Sequence, residues 1–253
     1  MKPRLRSFKP TPACSERAAP SPPQTQSGAI SRLILRMALS IAATGAILFV
    51  SAGTVRWLGA WAYLIETGAL ALAAGLWLAK YDPELLRERL ASPIQREQRA
   101  WDKMLVATLM FLGLGWLVLM ALDAERNEWS HVPGGAQVIG FGLILLSFYV
   151  GFLTIRENSY AAQTVKIQKE RGQEVISTGP YRYVRHPMYA SVALFTLGAP
   201  LLLGSWYGLA LCPLVIAVLG SRAMMEERVL AAELEGYSEY SDRVRHRLIP
   251  LVW

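Results

Sequence analysis

Four apolar runs of near-membrane length leave this chain few ways to fold. A bilayer core takes about 20 apolar residues of helix, and residues 37–53, 57–79, 104–122 and 136–155 reach or approach that length. A fifth apolar region, residues 188–221, is too long for one span and is interrupted at Gly204-Ser205-Trp206. It reads as a helical hairpin with limbs of about 16 residues, shorter than a full span, and Pro200 and Pro213 mark its kink points. Trp57, Trp101 and Trp206 stand at run ends, as in an interfacial aromatic belt. The composition agrees: only 18% of the 253 residues are charged and 53% are hydrophobic, against roughly 25% charged in soluble domains. The fold class expected is all-α integral membrane, with about five to six transmembrane helices that include the C-terminal hairpin.

Charge placement orients these spans. All of the 26 Lys and Arg residues except Arg56 and Arg126 fall in the N-terminal tail and first helix start, in residues 80–103, in residues 156–187, or from Arg222 onward. Those stretches lie on one side of six crossings, and the excess of cations places them, with both termini, in the cytoplasm. Topology thus accounts for the net charge of +7, so no nucleic-acid partner is expected. The bilayer is the expected partner, with an attraction to anionic lipid heads. Residues 1–28 are rich in Pro, Ser and Arg, and read as a disordered basic tail. The expected division is that tail, a transmembrane region over residues 29–155, and a functional region over residues 156–253 made of loop, hairpin and C-terminal helix. Cys14 and Cys212 are the two cysteines and the three histidines are scattered, so no metal site is expected.

The chemistry concentrates in residues 156–189, RENSYAAQTVKIQKERGQEVISTGPYRYVRHPMY. A loop of this length in a membrane protein folds over something. Residues 165–167 and 175–176 read as short extended pieces, and Thr178-Gly179-Pro180 as a turn. Tyr181, Tyr183 and Tyr189 are candidates to wall an aromatic pocket. His186-Pro187 opens the hairpin, with proline at a favourable first helical position and free amides suited to an anionic ligand. Arg182, Arg185 and His186 equally fit as interfacial residues beside a membrane helix. Beyond the hairpin, Arg222 and Glu226 share a helix face. They read either as a surface ion pair or, if Glu226 meets His186 across the hairpin, as part of a pocket. Arg247 reads as a solvated or lipid-facing cation, or else as a group that binds an acidic one. Glu66, an ionisable group inside a span, is a site candidate by its cost alone. Gly113, Gly115, Gly140 and Gly142 read as helix-packing positions.

The ordered set Gly179-Pro180-Tyr181, Arg185-His186-Pro187-Met188-Tyr189, the hairpin, Glu226-Glu227 with Leu230, Tyr237 and Tyr240, and Leu248-Ile249-Pro250 resembles a known membrane superfamily. It is that of the isoprenylcysteine carboxyl methyltransferases and phospholipid N-methyltransferases. The resemblance covers the last hundred residues or so. It implies S-adenosyl-L-methionine as cofactor, bound by His186, Pro187, Met188, Tyr189, Tyr181 and the segment Gln173, Glu174, Val175 and Ile176. Gln168, Glu226 and Glu227 complete the implied cofactor set. Arg222 would stand beside the methyl acceptor as the catalytic residue, and the acceptor would be lipidic or prenylated. Met224-Met225 stand before Glu226-Glu227 where the carboxyl methyltransferases often carry a longer acidic run.

Methyl transfer from a sulfonium mainly requires alignment of donor and nucleophile. A carboxylate acceptor is already ionised, and an arginine such as Arg222 can orient it, so carboxyl O-methylation is expected ahead of phospholipid N-methylation. Two other classes carry alternatives. A sterol-reductase-like enzyme can share the Arg-His-Pro-x-Tyr stretch, and would bind NADPH through a further cation cluster. A non-enzymatic membrane protein would tolerate loss of the polar pocket residues.

Overall fold

Backbone amides and carbonyls in hydrocarbon have no water to bond, so runs of this kind must close their own hydrogen bonds as helices. The computed structural model describes residues 24–96, 98–249 and 253. In chain order it contains α1 (Gln24–Ala52), α2 (Leu58–Tyr81), α3 (Pro83–Arg89), α4 (Ala100–Ala121), α5 (Gly134–Glu157), α6 (Pro187–Leu203), α7 (Trp206–Ala210), α8 (Cys212–Glu233) and α9 (Tyr237–Arg243). Five stretches are long and apolar enough to span: Gly28–Ala52, Leu58–Tyr81, Ala100–Arg126, Gly134–Glu157 and Trp206–Glu233. Leu39, Val50, Ile65, Phe111, Val138 and Leu146 are exposed on these helices, the surface an integral membrane protein turns to lipid. The all-α membrane fold follows. The tail expected over residues 1–28 lies largely outside the described residues, and its end is displaced, because α1 already begins at Gln24.

The hairpin forms where the apolar pattern breaks. The 17 residues of α6 rise roughly 25 Å, short of a hydrocarbon core of roughly 30 Å. Gly204 ends it in the left-handed region at φ 88°, a conformation that glycine adopts without strain. Ser205 then caps α7, its Oγ accepting from the Gly208 amide at 2.8 Å. α6 runs through Pro200, whereas Pro213 sits in the first turn of α8 and marks the break from α7. The second limb does not stop at the membrane edge. α8 continues to Glu233, so the C-terminal helix expected after the hairpin is its second limb, and α9 is a separate short helix.

Two contacts fix this hairpin. At its tip, Asp123 is fully buried in a π-helical turn, Leu122–Arg126, at the end of α4. Asp123 Oδ2 accepts from Ser130 Oγ at 2.7 Å, Ser205 Oγ at 2.6 Å and the Tyr207 amide at 3.3 Å. Along its length, α5 and α6 touch backbone to backbone. A Cβ on Gly140 would come within 2.7 Å of the Gly198 carbonyl, and one on Gly198 within 2.8 Å of the Gly140 carbonyl. Of the four glycines expected to pack helices, only Gly140 has neighbours that close; Gly113, Gly115 and Gly142 have none within 4 Å.

Candidate active site

At the end of the fold opposite the hairpin tip, the 158–185 loop closes over the starts of α4 and α6 and the C-terminal half of α8. A cavity of about 470 Å³ lies between them. Among the described residues no strand forms in this loop; residues 165–167 and 175–176 are irregular. The loop is held instead by side chains. Tyr160 Oη donates to the Gly172 carbonyl at 3.1 Å, Gln168 Nε2 to the Tyr160 carbonyl at 2.9 Å, and Asn158 Nδ2 to Tyr181 Oη at 2.8 Å.

Two carboxylates adjacent in sequence on α8 face different surroundings, because neighbours on a helix point about 100° apart. Glu226 lines the cavity and accepts from Tyr189 Oη at 2.6 Å. Glu227 is turned away from it and gathers three donors: Arg185 Nε at 2.7 Å, Arg247 Nε at 2.9 Å and His186 Nε2 at 3.2 Å. The backbone repeats this clasp, with the amides of Arg185 and His186 each donating at 2.9 Å to the carbonyls of His246 and Arg247. Glu227 thereby pins the C-terminal segment to the start of α6 and sets His186, whose ring stacks on Tyr189 at 5.4 Å. Of the readings of Arg247, a solvated or lipid-facing cation or a binder of an acidic group, the structure shows the last: it pairs with Glu227 in that clasp.

The other sequence candidates divide in the same way. Tyr181, His186, Pro187, Met188, Tyr189 and Arg222 line the cavity. So do Gln173, Glu174, Val175 and Ile176. Gln168 and Glu227 do not. Gln168 is buried within the loop, where its Oε1 accepts from Arg171 Nη1 at 2.6 Å. Tyr183 points outward, 65% exposed, so it walls no pocket. Burial raises the phenol of Tyr181 well above the ordinary tyrosine range, and that of Tyr240 to about 12. Both remain neutral hydroxyls. The amide of His186 is already bonded to Arg247, so it is not free for an anion. Glu66 is buried in α2, away from this cavity, and neither carboxylate oxygen has a partner.

Arg222 is not a free cation. Its Nε donates to Asp102 Oδ1 at 2.7 Å, its Nη2 to the Gln163 carbonyl at 2.7 Å, and its guanidinium lies over the Tyr189 ring at 5.6 Å. Asp102, fully buried, also accepts from Gln98 Nε2 at 2.7 Å and from the Val165 amide at 3.0 Å. Sequence reasoning missed Asp102, although a carboxylate in the first turn of an otherwise apolar helix is itself a signal. It also missed Arg89 on α3. Arg89 lines the cavity, donates to the Ala161 carbonyl at 2.8 Å, and has its guanidinium pulled below the usual value by burial. Val106, Leu109, Met110, Val192 and Leu219 give the cavity an apolar side.

Residues 136–235 match the model of the phospholipid methyltransferase family. They form a domain of that family. It lies within the superfamily that also holds the isoprenylcysteine carboxyl methyltransferases, and it points to a membrane methyltransferase. No curated protein matches the chain. The matched residues supply α5 to α8 and most of the polar lining, whereas Arg89, Asp102 and Val106 lie upstream of them.

Proposed function

We propose that this protein is an S-adenosylmethionine-dependent methyltransferase whose lipidic acceptor enters the cavity from the bilayer, on the cytoplasmic side. The observation that carries this reading is the cavity itself. It joins a polar end, with Glu226, Tyr189 and His186 from the family-matched residues, to an apolar side formed by Val106, Leu109, Met110 and Leu219. Its volume of about 470 Å³ suits a cofactor-sized molecule. The donor set fits too. Among the described residues the Glu226 carboxylate has one hydrogen-bond partner, the Tyr189 hydroxyl, and it shares the cavity lining with Tyr181.

When bound, the cofactor supplies an electrophilic methyl group on a cationic sulfur. The chain's own residues hold and align. Glu226 balances positive charge, and the Tyr189 hydroxyl fixes the direction of its carboxylate. The loop and the apolar side exclude water, which strengthens each charge interaction within. Arg222 keeps Nη1 for the acceptor after Asp102 and Gln163 have taken Nε and Nη2. A carboxylate acceptor needs no base and takes that N–H, which is the carboxyl O-methylation expected from sequence. A second reading, an amine acceptor on a phospholipid, is favoured by one observation. Asp102 balances the charge of Arg222, so the site does not repel a cationic headgroup.

The test is transfer of radiolabelled methyl from S-adenosylmethionine by full-length protein in mixed micelles, offered either a farnesylated cysteine or phosphatidylethanolamine. Base-labile label in the first supports a methyl ester, and base-stable label in the second supports N-methylation. No transfer to either, together with no binding of S-adenosylhomocysteine by folded protein, overturns the proposal.

A further inference from the structure

Among the charged side chains that line the cavity, Lys166, Arg185 and Arg222 are each ion-paired, with Glu88, Glu227 and Asp102. Glu174 is exposed to solvent. Arg89 and Glu226 are different: both are half-buried, and neither has a countercharge within ion-pair distance among the described residues. Among the described residues, the only other partner of the Arg89 guanidinium besides the Ala161 carbonyl is a poor acceptor, Met188 Sδ at 3.8 Å. Both charges line the one cavity and reach adjacent residues at the start of α6: Arg89 Nη2 lies 3.8 Å from Met188 Sδ, and Glu226 accepts from Tyr189 Oη at 2.6 Å. A desolvated cation without a partner is costly to keep, and a cavity that keeps one of each sign side by side has room for a ligand that supplies both countercharges.

We propose that Arg89 and Glu226 form a receptor for a zwitterionic group, with Arg89 taking an oxyanion and Glu226 an ammonium carried close to it on the same ligand. This rests on the methyltransferase reading for its ligands, and extends it to a residue outside the family-matched stretch. The local fold supports the role. Asp82 caps α3 by accepting from the Leu85 amide at 3.0 Å, and Leu85 and Leu86 are buried beneath it. The helix that ends at Arg89 is therefore anchored, and Gln163 Nε2 bonds the Arg89 carbonyl at 3.1 Å. Two ligands carry the required chemistry. One is the α-amino-acid end of S-adenosylmethionine; the other is the phosphate–ammonium headgroup of an ethanolamine lipid.

Calorimetric titration of full-length protein in detergent separates these sources. The probes are S-adenosylhomocysteine, its decarboxylated analogue, its deaminated analogue and 5′-methylthioadenosine, followed by micelles of phosphatidylethanolamine against diacylglycerol. The parent is expected to prefer S-adenosylhomocysteine over both truncated analogues by tenfold or more. Arg89→Met erases the preference against the decarboxylated analogue alone, Glu226→Gln that against the deaminated one alone, and Arg89→Lys retains part of it. The same pattern seen only with phosphatidylethanolamine assigns the receptor to the acceptor. Equal binding of all probes within each series overturns the receptor, while binding of S-adenosylhomocysteine leaves the methyltransferase standing. If Arg89→Met weakens every probe alike, 5′-methylthioadenosine included, Arg89 only braces the loop and the receptor is likewise overturned.

Discussion

Removing the carboxylate of Asp102 tests how α4, α8 and the loop are joined. Asp102 is fully buried, so solvent does not screen its ion pair with Arg222, which is itself only 8% exposed. Asp102→Ala strands that guanidinium and also frees Gln98 Nε2 and the Val165 amide. Breaking a buried pair from one side costs about 3–5 kcal/mol, mostly through the charge left behind. At about 2–4 °C per kcal/mol for a chain of this size, the apparent melting temperature should fall by roughly 10 °C. The double variant Asp102→Ala, Arg222→Met leaves no charge stranded, and should recover most of that loss. Thermal unfolding of the purified protein in one detergent, followed by intrinsic tryptophan fluorescence, measures all three. A single variant that melts with the parent, or a double variant no more stable than the single, would refute the account of Asp102 as the charge that holds Arg222. S-adenosylhomocysteine affinity should also fall in the single variant, because the Val165 amide loses its anchor and the guanidinium that holds the Gln163 carbonyl loses its countercharge.

Three further outcomes follow from other contacts. Glu227→Ala leaves Arg185, His186 and Arg247 without their shared carboxylate, and should release the C-terminal segment; limited proteolysis after residue 240 should accelerate, and resistance equal to the parent's would contradict the clasp. Tyr189→Phe removes the 2.6 Å hydrogen bond to Glu226 at a cost of about 1.5–3 kcal/mol to the folded protein, so the melting temperature should fall by roughly 5 °C; S-adenosylhomocysteine affinity should drop as well, because the carboxylate loses its fixed direction. Gly140→Ala drives a methyl group against the Gly198 carbonyl, backbone that has no side-chain freedom to yield. Overpacking of this kind costs about 1–3 kcal/mol, read as a lower melting temperature, whereas Gly142→Ala, with open space around it, should match the parent.

Hydropathy made the spans legible because each apolar helix faces lipid over much of its surface, and the same is true of the break at Gly204-Ser205. Glu226 and His186 were found by motif, and α8 brings them into one region because it continues unbroken past the membrane edge. Glu227 was placed in the cofactor set because the resemblance rests on the pair Glu226-Glu227. A rotation of about 100° per residue sends it to a different neighbourhood, whereas Glu226 shares the helix face of Arg222, four residues earlier, and lines the cavity with it. Tyr183 fails for a similar reason: it follows a 3₁₀ turn, Gly179–Arg182, that turns it outward while Tyr181 points in. Asp102 and Arg89 escaped notice because their partners lie far away in sequence, Arg222 at 120 positions from Asp102 and Ala161 at 72 from Arg89.

Those two residues also bear on where the functional unit begins. The division expected from sequence puts residues 29–155 in the membrane and the chemistry in residues 156–253, and the family match begins at residue 136. Yet the charge that neutralises Arg222 comes from α4, and the unpaired cation in the cavity comes from α3. Val106, Leu109 and Met110, three of its apolar lining residues, also belong to α4. A fragment starting at residue 136 would therefore keep Glu226 and His186 but leave Arg222 without its carboxylate and the apolar side of the cavity open. Under the proposed function, the matched residues give the site Glu226 and His186, while the upstream helices give it Arg89, the carboxylate paired with Arg222 and much of the apolar wall.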